Sequence, residues 1–280
     1  MAIAKILAPL TGTHRDEIVL ATAFAAAAPF SAHVAAIFVH PDPRLAVPFA
    51  GLPVAPEVVQ DIVGASEEIA RTADQRAHAA FVTASTKASE AGFAVTASFR
   101  RVQGLYFRAV AQAAELSDLV AFGIISGPDS AELSEGFVEV LTRSGRPIVL
   151  SAEAPARLAE KIVIGWDGGA SAARAISAAM PFLQKAREVE ILSIERAPLD
   201  DSHFEELRRY LVFHGVQANE KKVEQGARDK GQALLEDAAK CGADMLVLGA
   251  YSRGPWRESV FGGVTAHIRS HATLPIFLAH

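Results

Sequence analysis

A single cysteine, Cys241, stands in 280 residues, and that scarcity excludes a disulfide framework and any cysteine-based metal site. It falls at the end of an expected helix, where a buried structural thiol is the ordinary reading. Aromatic residues make up only 7% while hydrophobic residues reach 50%, so the core is expected to consist of Ala, Val, Ile and Leu. Uninterrupted apolar runs are missing too. The Ala-rich stretch Ile18–Val39 is broken by Pro29, Ser31 and His33, which argues against a membrane span. Met1–Leu10 carries one lysine and a five-residue apolar run, a first β-strand more than an export signal. A soluble cytoplasmic protein is expected. Basic clusters are absent as well. Residues 1–155 hold 11 Lys/Arg against 16 Asp/Glu, and residues 156–280 hold 16 of each. The net charge of −5 therefore belongs to the first half, nucleic acid is not an expected partner, and an anionic small ligand meets less repulsion in the second. Gly-x-x-x-x-Gly-Lys-Ser/Thr is absent, which excludes a P-loop ATPase. No Gly-x-Gly-x-x-Gly follows either first strand, which argues against a dinucleotide enzyme.

What the chain does contain is itself, twice. Lys5–Gly12 (KILAPLTG) parallels Lys161–Gly168 (KIVIGWDG), each an apolar run ended by a polar residue and glycine before an Ala-rich helix. Second strands follow at His33–Val39 and Val189–Ile194, third strands at Gly92–Ser98 and Gly215–Lys221, and helices at Leu105–Leu116 and Asp229–Cys241. Fourth strands fall at Asp118–Gly123 and Asp244–Gly249, fifth strands at Pro147–Leu150 and Pro275–Leu278. This alternation predicts an α/β fold of two tandem doubly wound parallel five-stranded sheets with helices on both faces. The domains are expected at residues 1–152 and 159–280, with Ser151–Leu158 as the linker. Ligands in such folds sit beyond the strand C-termini where the strand order reverses. The places to look are Thr11 and Gly123 in the first half, Asp167 and Gly249 in the second. Residues 41–66 carry five prolines before a helix expected at Glu67–Ala91. They read as an irregular loop, or as a lid or partner-binding flap.

The most informative segment is Asp244–Pro275. It reads as a buried strand (Met245–Leu248), a glycine-bearing loop (Gly249–Phe261), then Gly262-Gly263-Val264-Thr265 opening a helix. Such a loop surrounds a phosphate with backbone N–H groups. Asp118–Pro147 keeps the skeleton as Gly123, Ser126 and Gly136, but Phe137 and Glu139 replace Gly263 and Thr265, and Thr11 replaces Asp167. Glu139 would face phosphate with a repulsion on the order of a kcal/mol, and Asp129, Glu132 and Glu135 add to it.

In this repeat plan and these two loops the chain resembles the universal stress protein family, in its tandem two-domain form. The family's ATP-binding members carry Gly, two residues, Gly, nine residues, then Gly with Ser or Thr. Here the run is Gly249, two residues, Ser252, nine residues, Gly262-Gly263-Val264-Thr265. The resemblance implies ATP as ligand, with or without Mg2+. Gly249 and Ser252 would shape the loop around the triphosphate, Gly262 and Gly263 would offer N–H groups, and Thr265 a hydroxyl. Asp167 would contact the ribose, and Ile194 falls where the family's backbone reads adenine. Ser252 and Gly263 depart from the pattern. Arg253 and Arg257 are either phosphate partners or plain surface. The resemblance also implies a homodimer or an intramolecular pseudo-dimer through the last strand, and a degenerate site in the first half.

Other constellations are weaker. Ala250–Gly254 (AYSRG) matches a nucleophile elbow with Glu258 and His267, His271 or His280 downstream. Glu258 is too local to orient a distant imidazole, so a serine hydrolase is a distant third. His267 and His271 have i, i+4 spacing but no evident third ligand for a metal. No general base accompanies the phosphate loop, so the expectation is a stress-response or signalling protein with slow ATP hydrolysis at most. The alternative is a nucleotide-free dimeric scaffold mediating protein contacts.

Overall fold

The computed structural model describes residues 2–43, 55–125, 130–193, 201–222, 230–250, 268 and 271–280. The first half runs β1 (Lys5–Leu10), α1 (Arg15–Ala27), β2 (His33–His40), α2 (Pro56–Glu90), β3 (Thr96–Gln103), α3 (Tyr106–Glu115), β4 (Leu119–Gly123), α4 (Ser130–Thr142) and β5 (Ile148–Ser151). The second runs β6 (Lys161–Trp166), α5 (Ala170–Leu183), β7 (Glu188–Ser193), α6 (Asp201–Phe213), β8 (Asn219–Lys222), α7 (Lys230–Lys240), β9 (Met245–Gly249) and β10 (Ile276–Ala279). The inner strands are short apolar runs buried on both faces, which is how a helix-covered parallel strand reads.

All ten strands form one sheet in the order β3-β2-β1-β4-β5-β10-β9-β6-β7-β8. Each half has the same doubly wound order, with every strand pair inside a half parallel. The seam between halves is antiparallel: Ile276 faces Leu150, Phe277 faces Val149 and Leu278 faces Ile148. The last strand, expected at a dimer edge, thus finds its partner inside the chain. An antiparallel seam also points the strand tips of the two halves in opposite directions, so their crevices open on opposite sides.

The halves repeat one further device. Asp118, just before β4, accepts the N–H groups of Ala4 and Lys5 at 2.8 and 2.9 Å. Asp244, just before β9, accepts those of Glu160 and Lys161 at 3.1 Å each. In both halves a carboxylate ties the start of strand four to the start of strand one. Lys161 is then held by Glu188 and Glu190 at 2.8 and 2.9 Å.

Helices cover both faces, and one apolar layer crosses the seam. Phe30, after α1, meets Phe182 of α5 edge-on at 4.9 Å, and Phe182 meets Phe277 of β10 at 6.0 Å. Phe182 and Phe277 are at most 1% exposed, and burying each contributes roughly 1.5–3 kcal/mol. Cys241 follows α7 and is half-buried, with burial and the neighbouring Glu190 carboxylate pushing its thiol up.

Two local expectations need correction. The helix expected from Glu67 begins at Pro56 and runs 35 residues. Proline suits the first helical position, where its missing N–H has no intrahelical partner anyway, so the end of the proline-rich segment starts α2 instead of looping. Residues 44–54 of that segment lie outside the described residues. The third strands are Thr96–Gln103 rather than Gly92–Ser98 in the first half, and Asn219–Lys222 rather than Gly215–Lys221 in the second.

Candidate functional site

In the second half, β6 pairs with both β9 and β7, so the three strand tips stand together. Asp167 is the first residue beyond β6. Its Oδ1 accepts the Gly169 N–H at 2.9 Å, an Asx turn that feeds the chain into α5 with Gly169 at the N-cap. Trp166, beside it, is buried, and its indole N–H has no acceptor among the described residues. An unmet buried donor costs about 1–3 kcal/mol.

β9 ends at Gly249, pressed onto the first turn of α5. A Cβ there would collide with Ala172 N and Ser171 C and lie 2.8 Å from Ser171 O. All three are backbone atoms, which cannot swing aside, so only glycine allows this approach. Beyond it, the Ala250 N–H donates to Ala279 O at 2.8 Å, which ties the outgoing chain to β10. His280 Nδ1–H donates to Ala250 O at 3.2 Å, so this histidine of the hydrolase alternative is engaged with backbone.

Of the residues expected to hold a nucleotide, Asp167 and Gly249 are brought to neighbouring strand tips. Ile194, Ser252, Gly262, Gly263 and Thr265 lie outside the described residues, as do Arg253 and Arg257. β7 ends at Ser193, one residue before Ile194.

The corresponding crevice in the first half is occupied by the chain itself. Asp16, in the first turn of α1, is 1% exposed. Its carboxylate accepts the Thr11 N–H at 2.9 Å, the Thr11 hydroxyl at 3.2 Å and the Gly12 N–H at 2.8 Å. Burial pushes its pKa up, and the hydrogen bonds from Thr11 and Gly12 oppose that shift. The strand-tip amides that would face an anion are thus turned onto an internal carboxylate. Ala172 stands at the matching place in the second half and has none to offer.

Two more elements close this crevice. Gly12 adopts φ 75°, and a Cβ on it would collide with the Ala73 backbone, so α2 rests directly on the β1 tip. Asp74, the next residue of α2, is fixed by Arg101 Nε at 2.9 Å to both oxygens, with His40 Nε2 at 3.9 Å. On the other side, a Cβ on Gly136 would lie 2.9 Å from the Tyr106 ring. Phe137 is fully buried and packs edge-on against Phe122 at 5.7 Å. The Tyr106 hydroxyl is buried without a partner among the described residues, and burial with the Asp16 and Glu132 charges holds its phenol above the ordinary range. Among Thr11, Asp16, Tyr106, Phe122 and Leu133 only about 10 Å³ remains open. The sequence signals for Glu139 and Phe137 pointed here, whereas the roles of Asp16 and of α2, a helix expected from Glu67, in closing the crevice were not foreseen. An aspartate four residues after a Thr-Gly strand ending was the available clue.

Known structures show the same arrangement over nearly the whole chain. A universal stress protein from Archaeoglobus fulgidus matches 98% of this chain and 95% of its own, with a TM-score of 0.65 at 15% identity. A putative universal stress protein from Pseudomonas aeruginosa matches 99% of this chain and 93% of its own, with a TM-score of 0.60 at 15% identity. This is the universal stress protein fold. A further Pseudomonas aeruginosa protein, described as functionally unknown, has it too, with a TM-score of 0.60 at 12% identity over 99% of this chain and 92% of its own. No protein-family model matches the chain, and no curated protein matches its sequence. Within this universal stress protein fold, no helix among the described residues is long and apolar enough to cross a membrane. Among the described residues, the first-half strand tips carry the buried Asp16 carboxylate, Ala73 and Phe137, and the second-half tips carry the Asp167 turn and Gly249 packed on α5.

Proposed function

We propose that the chain is a cytoplasmic tandem universal stress protein that holds one adenine nucleotide, ATP, at the strand tips of its second half, in a stress-response or signalling role. The observation that carries this reading is the contrast between the crevices. In the first, Asp16, Ala73 and Phe137 occupy the space. In the second, the matching positions of Asp16 and Phe137 are Ala172 and Gly263, and the Asp167 turn stands at the tip of β6, next to β9, whose Gly249 packs directly on the first turn of α5.

Asp167 is the residue that would hold the ribose hydroxyls, and the backbone at Ile194 the adenine edge. Gly249, Ser252, Gly262, Gly263 and Thr265 would meet the phosphates, with or without Mg2+, through backbone N–H groups and one hydroxyl. The first half serves as a structural partner across the β5–β10 seam, so the pseudo-dimer is intramolecular. No turnover is assigned beyond slow hydrolysis.

A nucleotide-free scaffold is the competing reading. It draws support from the end of α6, where Val212 and Phe213 are 60% and 79% exposed. Release of bound nucleotide from denatured protein, followed by anion-exchange chromatography, separates the two. The nucleotide reading requires adenine nucleotide in the supernatant or a rise in melting temperature at millimolar ATP, lost on Gly262→Asp. Neither signal in the wild type would leave the scaffold reading standing.

A further inference from the structure

We propose that the protein associates with further copies of itself head to tail, the N-terminal part of α2 in one copy docking on the end of α6 in the next. The contact stands whether or not the second half holds a nucleotide. Both surfaces are built from exposed apolar side chains, and they carry opposite charge.

Only the later part of α2 is packed. Its buried residues are Ala70, Ala77 and Ala88, so no side chain from Pro56 to Ile69 is buried. At 1.5 Å per residue this stretch extends roughly 20 Å ahead of the turn where Ala73 meets the β1 tip. Val58, Ile62, Ala65 and Ile69 follow one another at spacings of four, three and four, which aligns them in one stripe along the helix. Val58 is 46% and Ile69 71% exposed. Glu57, Asp61 and Glu68 each precede a stripe residue and form an acidic row beside it. Arg71 pairs with Glu68 at 3.0 Å, and no basic residue lies between Pro56 and Ile69.

α6 is held to the core through Phe204, Leu207 and Leu211, all buried. Tyr210, Val212 and Phe213 are left exposed at its end, with Arg208 and Arg209 exposed in the same turn. Gln184 Nε2–H donates to His214 O at 3.0 Å, which brings the exposed Lys185 and Arg187 after α5 towards the same end. Glu205 and Glu206 lie one turn back. The last turn is therefore apolar and basic.

Neither surface suits a copy of itself. α2 against a second α2 opposes two acidic rows, and α6 against a second α6 opposes arginines, and like charges across a contact repel. α2 against α6 joins two apolar patches and brings carboxylates to arginines. Both surfaces are exposed within one chain, so they do not cover each other there. Two different surfaces make a heterologous contact, which repeats into a ring or an open chain.

The test is sedimentation velocity of the full-length protein from micromolar to millimolar concentration. The mean mass of the wild type should rise with concentration and fall back at high salt, which screens the charged rims. Ile69→Glu removes the first surface and Phe213→Glu the second. Both positions are exposed, and urea midpoints near the wild-type value certify the fold. Each variant alone should lose association. Mixed in equal amounts they should form a dimer and nothing larger, because the pair retains one intact surface of each kind. Val58→Glu and Arg209→Glu, also at exposed positions, should give the same results. A wild type that stays monomeric throughout, association surviving in either variant alone, or a mixture that stays monomeric would overturn the proposal.

Discussion

The same substitution made at Gly249 and at its first-half counterpart, Gly123, should have opposite effects. At Gly249 an added Cβ would sit 2.8 Å from Ser171 O and closer still to Ala172 N and Ser171 C. Ordinary contact begins near 3.4 Å, and the closest of these backbone atoms set the requirement, so the first turn of α5 and the tip of β9 must separate by well over half an ångström. At Gly123 the nearest atoms would be Val19 Cγ2 at 3.6 Å and Arg15 Cβ at 3.8 Å, ordinary packing distances. Forcing a methyl into a packed contact costs about 1–3 kcal/mol. Against this, alanine restricts the unfolded chain and returns about 0.4–1 kcal/mol where the backbone suits it. Gly249→Ala should therefore lower stability by about 1–3 kcal/mol, or roughly 2–4 °C in melting temperature per kcal/mol. Gly123→Ala should leave stability unchanged or raise it slightly. Calorimetric titration with ATP on the same samples should show weaker binding for Gly249→Ala alone, because the crevice it shapes has been pried open. Equal stability of the two variants in urea would refute the packing argument, and ATP affinity unchanged in a destabilised Gly249→Ala would refute the link from packing to ligand.

Other consequences can be checked on single variants. The Asp16 pKa is raised by burial, so its stabilising contribution is greatest below the ordinary 3.8 and is lost as pH rises through the raised value. Since asparagine does not titrate, the stability difference between wild type and Asp16→Asn, from urea midpoints at pH 4 to 7, should shift against the wild type as pH rises and then level off. Phe137→Ala should cost about 3–5 kcal/mol in urea unfolding, as expected for an aromatic side chain removed from a fully packed site. With burial and Glu190 both pushing the Cys241 thiol up, Ellman's reagent at pH 8 should modify native protein several-fold more slowly than urea-unfolded protein.

The parts of this structure that were legible in the sequence are those set by local pattern. The fourth and fifth strands of each half fall within a residue or two of the apolar runs that announced them. Short buried strands bounded by Asp or Pro leave little freedom in placement. α2 starts at Pro56 and not at the expected Glu67 because the proline-rich segment reads as a loop by composition, although proline at a first helical turn is compatible with a helix. The β5–β10 seam was beyond local reasoning, since both strands have the same apolar character and their pairing is decided by contacts 126 positions apart, as between Leu150 and Ile276. The closed first-half crevice was half legible. Phe137 and Glu139 showed by residue type that the loop had changed. Asp16 looked like an ordinary acidic residue at a helix start until its carboxylate was seen folded back onto Thr11 and Gly12.

The central claim is one nucleotide per chain, in the second half alone. Calorimetric titration of purified, nucleotide-stripped protein with ATP tests it most directly, with Asp167→Ala, Gly262→Asp and Thr11→Ala compared alongside the wild type. The account predicts a stoichiometry of one ATP per chain, sharply reduced affinity in the first two variants and unchanged affinity in Thr11→Ala. A stoichiometry of two, no binding at millimolar ATP, or undiminished affinity in both Asp167→Ala and Gly262→Asp would contradict it.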